Sequence, residues 1–102
     1  MVRKYYIFKG RVQGVGFRFT MYREATRLNL TGWVKNLYDG DVEACIQGDE
    51  QSINRLLKAM QSGHFIRIES MDVEELEVLP SESSFEMKNQ HSIKNIIQKV
   101  LN

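Results

Sequence analysis

Apolar and polar residues alternate along the first stretch of the chain. Between residues 3 and 12, Tyr6, Phe8 and Val12 fall on one face, which predicts a strand. From Phe17 the period changes. Phe17, Met21, Ala25 and Leu28 are spaced four, four and three apart, with Arg23, Glu24 and Arg27 off the stripe, the signature of an amphipathic helix. Asn29 sits where that helix should stop and suits a left-handed cap. Thr31 to Leu37 reads as a second strand. Asp39 and Gly40 form a hairpin signal, and Val42, Ala44 and Ile46 then alternate with Glu43, Cys45 and Gln47 in a third strand. Asp49 is placed to cap a second helix carrying Ile53, Leu56, Leu57 and Met60, with Gly63 at its end. A fourth strand begins about Phe65. Its phase shifts between Ile68 and Met71, which predicts a bulge or bend. Pro80, Ser81, Ser83 and Ser84 make a loop, and Phe85 with Met87 suggests a short final strand.

The order β α β β α β predicts an α+β fold, a ferredoxin-like sandwich with a mixed, mainly antiparallel sheet and both helices on one face. A right-handed helical crossover between strands one and two makes them parallel and brings their C-terminal ends to one edge of the sheet. Residues 1–89 form the predicted domain. In residues 90–102, Ile93, Ile96, Ile97, Val100 and Leu101 share one helical face, which predicts a C-terminal amphipathic extension packed on this chain or on a second copy.

The stretch GRVQGVGFR, Gly10 to Arg18, joins strand one to helix one. Its glycines permit positive φ, so the backbone amides of Gln13, Gly14, Val15, Gly16, Phe17 and Arg18 are candidates for a concave nest. The helix N-terminus adds unpaired donors, and Arg18 adds a planar, permanently charged fork. Together these suit an oxyanion of phosphate size. The spacing is neither GxxxxGK[ST] nor GxGxxG, and the same glycines also suit a plain tight turn. Asn36 ends strand two on the same edge. A carboxamide there can accept from and donate to a water molecule, although a polar residue ending a strand needs no such role. No His, Cys or Ser stands in either stretch. Without a general acid, the leaving group must depart unprotonated, as a carboxylate does, so mixed anhydrides of phosphate and a carboxylic acid fit.

Composition narrows the setting. With 102 residues, 42% of them hydrophobic, the chain reads as one ordinary globular domain. The single cysteine, Cys45, excludes an internal disulfide and a cysteine metal cluster, and suits a reducing compartment. No apolar run reaches membrane length and no signal-peptide pattern opens the chain, so the expected location is cytoplasmic, without membrane attachment. Residues 1–35 hold eight Lys or Arg and one acid, a net of +7. Residues 36–102 hold six bases and twelve acids, a net of −6. The basic half carries the glycine loop and favours encounter with a small anion. A pI near 7.9 and the lack of an aromatic-rich RNP pattern argue against a nucleic-acid partner.

GRVQGVGFR, then REATRL, then LTGWVKNLYDGDVE, closely resembles the acylphosphatase family, and the match continues more weakly through IRIESMDV to FEM. The resemblance implies a ferredoxin-like hydrolase that cleaves the carboxyl-phosphate bond of acyl phosphates, releasing a carboxylate and inorganic phosphate, with no metal or other cofactor. It implies that the phosphate-binding arginine is Arg18 and the water-orienting asparagine Asn36. The chain departs from the family where Gly63 is followed by His64 instead of proline, where Leu37 replaces a hydroxyl found in some members, and in the tail. The alternative is a non-catalytic phosphate- or carbamoyl-phosphate-binding module, since a similar domain opens the large carbamoyl-transferring hydrogenase-maturation proteins. A monomer is expected, with self-association through the tail as the other outcome.

Overall fold

The computed structural model describes residues 1–89; the predicted tail helix, 90–102, lies outside the described residues. The elements are β1 (Val2–Arg11), α1 (Phe17–Arg27), β2 (Thr31–Asn36), β3 (Val42–Gly48), α2 (Glu50–Gln61), β4 (Arg67–Leu76) and β5 (Phe85–Lys88). They form one five-stranded sheet in the order β4-β1-β3-β2-β5. β3 lies antiparallel to both β1 and β2, so those two strands are parallel to each other, and β5 joins β2 in parallel. This is the predicted ferredoxin-like arrangement, with one further short strand at the edge.

One sheet face and the inner faces of both helices share a single core. Tyr6, Phe8, Val34, Val42, Ala44 and Ile46 from the strands meet Phe17, Met21, Ala25, Ile53, Leu56 and Met60 from the helices. Tyr6 stacks on Phe8, and Phe8 packs against Phe17 at 5.1 Å between ring centroids. Each element stops for a local reason. Asn29 adopts φ 59°, while its N–H donates to Thr26 O and that of Leu30 to Ala25 O, the paired bonds of a Schellman cap. Leu30, immediately after the turn, is therefore buried, whereas Leu28 is only half-buried against the core. Asp49 caps α2 by accepting from Ser52 N–H at 3.2 Å. Ser62, not Gly63, closes that helix, through its N–H to Ala59 O. The expected bulge falls on β4, where Gly10 pairs with Ile68 while Lys9 pairs with Ser70, leaving Glu69 over.

The other sheet face departs from simple alternation. Glu43, Cys45 and Gln47, which alternate with the core positions of β3, are also buried. The segment between β4 and β5 crosses this face at Gln47 and Arg3. Gln47 donates from Nε2 to Leu79 O at 2.9 Å and accepts from Leu79 N–H at 2.7 Å, while Arg3 donates to Glu82 at 2.7 Å. Beside this strap the Tyr5 hydroxyl donates to the Glu43 carboxylate, which also pairs with Lys35 at 3.2 Å. Burial raises the Cys45 thiol pKa, with the Arg3 charge opposing it, and raises that of the Tyr5 hydroxyl with help from Glu43.

Candidate active site

The loop from Val12 to Phe17 is fixed at both ends by the core, since Val12 and Phe17 are buried. Between them Gly14 and Gly16 take φ 73° and 77°, left-handed values that side-chain-bearing residues adopt only with strain. Each has open space where a Cβ would stand, so the loop turns a bare backbone surface outward at these two points. Val15 packs inward on the core and anchors the loop. The first helical bond of α1 runs from Thr20 N–H to Gly16 O at 2.9 Å. The amides of Phe17, Arg18 and Phe19 precede it and have no intrahelical acceptor. No side chain caps this helix and no acid stands in its first turn, so its positive end is uncompensated.

A cavity of about 300 Å³ opens against this helix start, lined by Val12, Gly14, Gly16, Phe17, Arg18, Phe19, Asn36 and Met87. Arg18 reaches it half-buried, and its Nη1 donates to the Lys88 carbonyl of β5 at 2.7 Å. That bond holds the guanidinium by one corner and leaves its remaining donors for a ligand. Asn36, the last residue of β2, faces the helices because it pairs with Val42, a core residue of β3. Its Oδ1 is buried with no hydrogen-bond partner among the described residues. A buried acceptor left unpaired at a cavity that also holds a guanidinium marks a place for a donor such as water.

Gly14, Gly16, Phe17, Arg18 and Asn36 are thus gathered at one cavity, whereas Gln13 and Val15 do not line it. The Gln13 side chain turns the other way and donates to Leu37 O at 2.6 Å and Asp41 O at 2.8 Å. Sequence reasoning missed that bond, the lining by Phe19 and Met87, and the Lys88 carbonyl. Exposed Met87 carries no sequence signal that separates it from a short edge strand. A larger cleft, about 370 Å³, lies between the end of α1 and the start of β5, but its lining is uncharged and offers an anion no counter-charge. Among the described residues no group of three His, Cys, Asp or Glu side chains has the placement to hold a metal ion.

An uncapped helix start, a tethered guanidinium and an orphaned carboxamide meet at the C-terminal edge of a parallel strand pair in an α+β sandwich, a set of groups whose chemistry suits a small oxyanion. The acylphosphatase family model matches residues 4–87. The acylphosphatase of Geobacillus thermodenitrificans is 43% identical over 86 residues, spanning 83% of this chain and 92% of that one. That of Clostridium perfringens is 44% identical over 86 residues, spanning 83% and 97%. Among solved structures, the acylphosphatase from Bacillus subtilis superposes with a TM-score of 0.78 at 36% identity, covering 86% of this chain and all but 1% of that one. A likeness of TM-score 0.74 at 26% identity also extends to full-length HypF in its phosphate- and nucleotide-bound form, of which this chain covers 12%. The chain belongs to the acylphosphatase family, and acylphosphatase activity is the function that membership gives it.

Proposed function

We propose that the chain hydrolyses acyl phosphates to a carboxylate and inorganic phosphate, with Arg18 and the amides of the 13–18 loop holding the phosphoryl group and Asn36 orienting the attacking water. The observation that carries this reading is the unpartnered Oδ1 of Asn36, buried at the same cavity as Arg18 and the glycine loop. Amides and a guanidinium supply positive charge where the transferring phosphoryl group develops negative charge, the electrostatic task of phosphoryl transfer. Asn36 accepts a hydrogen bond from the water and so directs a lone pair at phosphorus, a contribution of placement without basicity. The leaving carboxylate needs no proton, which removes the demand for a general acid. The reaction then requires neither a metal nor a covalent phosphoenzyme.

Arg18, Asn36 and the loop glycines of a single chain line the cavity, so this reading needs no second subunit at the site. The free, buried Cys45 thiol supports a cytoplasmic setting. The second reading, a phosphate- or carbamoyl-phosphate-binding module, draws on the likeness to HypF. The two separate in one assay. The hydrolase releases phosphate from acetyl phosphate, unaffected by a chelator, and leaves an alkyl phosphate intact because an alkoxide departs poorly. Binding of phosphate without turnover of acetyl phosphate supports the module and refutes the hydrolase.

A further inference from the structure

Between the two halves of this site lies a gap that the sheet itself does not bridge. Arg18 and the glycine loop follow β1, Asn36 ends β2, and β3 separates the two strands. Direct β1-to-β2 pairing is therefore absent at the point where the loop amides and the Asn36 carboxamide must hold a fixed relation. The Gln13 side chain supplies the missing link. Its single Nε2 donates both protons, to Leu37 O at 2.6 Å and to Asp41 O at 2.8 Å. The opposite orientation of the amide would set Oε1 against two carbonyl oxygens, so the contacts fix which atom points there. Leu37 N–H bonds Asp41 O at 2.9 Å, closing the turn that follows Asn36, and Gln13 grips both carbonyls of that closure. Its backbone, meanwhile, immediately precedes Gly14.

We infer that Gln13 is a positioning residue, whose carboxamide clamps the phosphate-binding loop to the 37–41 turn and so sets the distance between the bound phosphoryl group and the water held by Asn36. The inference rests on the proposed roles of Arg18 and Asn36. It assigns the Gln13 side chain no contact with substrate. The consequence is asymmetric. The anion cradle is local to the loop, Arg18 and the helix start, with Val12, Val15 and Phe17 anchoring it in the core, so phosphate binding does not depend on the clamp. The approach of water from Asn36 does depend on it. A misplacement of about 1 Å costs up to roughly a hundredfold in rate.

Gln13→Met keeps length and volume but removes both donors. Acetyl phosphate kinetics, inhibition by inorganic phosphate and circular dichroism are measured on the wild type, Gln13→Met, Asn36→Ala and the double variant. The expected result is a roughly ten- to hundredfold fall in kcat for Gln13→Met with the phosphate inhibition constant unchanged, and no further loss when it is added to Asn36→Ala. If Gln13→Met fails to fold, Gln13→Asn, whose amide is one methylene too short for the turn, is read the same way. Normal kcat, phosphate affinity falling in step with kcat, or multiplicative losses in the double variant would each overturn the clamp. Those outcomes leave the hydrolase reading standing provided Asn36→Ala is itself crippled. An active Asn36→Ala refutes the role of Asn36 and the clamp with it.

Discussion

Replacing Glu82 with alanine tests whether the 77–84 strap is structural. The Arg3 side chain is only 6% exposed, and its Nη1 donates to Glu82 at 2.7 Å, with a longer contact to Gln47 at 3.4 Å. A charge-assisted hydrogen bond contributes about 1.5 to 3 kcal/mol, and stranding a buried charge costs about 3 to 5 kcal/mol. Arg3 keeps Gln47 and water can enter from the side Glu82 vacates, so the expected loss is about 2 to 3 kcal/mol, a fall in Tm on the order of 10 °C or more. Lys4–Glu50, at 2.9 Å, is a matched control, since Glu50 is 59% exposed there. Glu50→Ala should cost about 0 to 1 kcal/mol. Urea unfolding followed by Trp33, the single tryptophan, reads both. Equal small losses for the two variants would show that the strap adds nothing and that the burial of Cys45 and Gln47 needs another cause.

Leu56, fully buried in the core, should cost about 2 to 5 kcal/mol on truncation to alanine, read from the urea midpoint at constant m. Cys45 and Tyr5 have pKa values raised by folding, so the stability they contribute is fully present below their unfolded values and is lost as pH rises. The urea midpoint should therefore hold near neutrality and fall from about pH 8.5 upward, where unfolded thiols and then phenols ionise; a flat profile to about pH 11 contradicts this. Deleting residues 90–102 should leave acetyl phosphate turnover unchanged while altering stability or assembly, because both proposed catalytic groups precede residue 37; a folded deletion without activity would place the tail in the active site.

Much of the fold was readable because local signals agreed with one another. The stripe from Phe17 to Ala25, the left-handed Asn29, the Asp49 cap and the phase shift after Ile68 each report geometry set within a few residues. Gathering Arg18 and Asn36 followed from topology, because a helical crossover leaves two parallel strands ending at one edge. What was not readable depends on distant chain. β3 alternates in sequence, yet Gln47 on its second face is buried, because a strap some thirty residues later bonds to it and to Arg3. Gln13 looked like a loop amide because its acceptors, the Leu37 and Asp41 carbonyls, are backbone atoms that side-chain identity does not reveal. The Lys88 carbonyl, which holds Arg18, is hidden for the same reason.

The central claim is that Asn36 acts on water while Arg18 acts on phosphate. It is tested most directly by measuring, on folded Asn36→Ala, both acetyl phosphate turnover and the affinity for inorganic phosphate. The expected result is a fall in kcat of roughly a hundredfold or more, about 3 kcal/mol, with phosphate affinity nearly unchanged. Arg18→Ala measured beside it should lose both, and Arg18→Lys should recover little, because an ammonium cannot form the two-pronged fork. Near-normal turnover by Asn36→Ala, with Arg18→Ala losing phosphate binding alone, would contradict the account and reduce the site to an anion pocket.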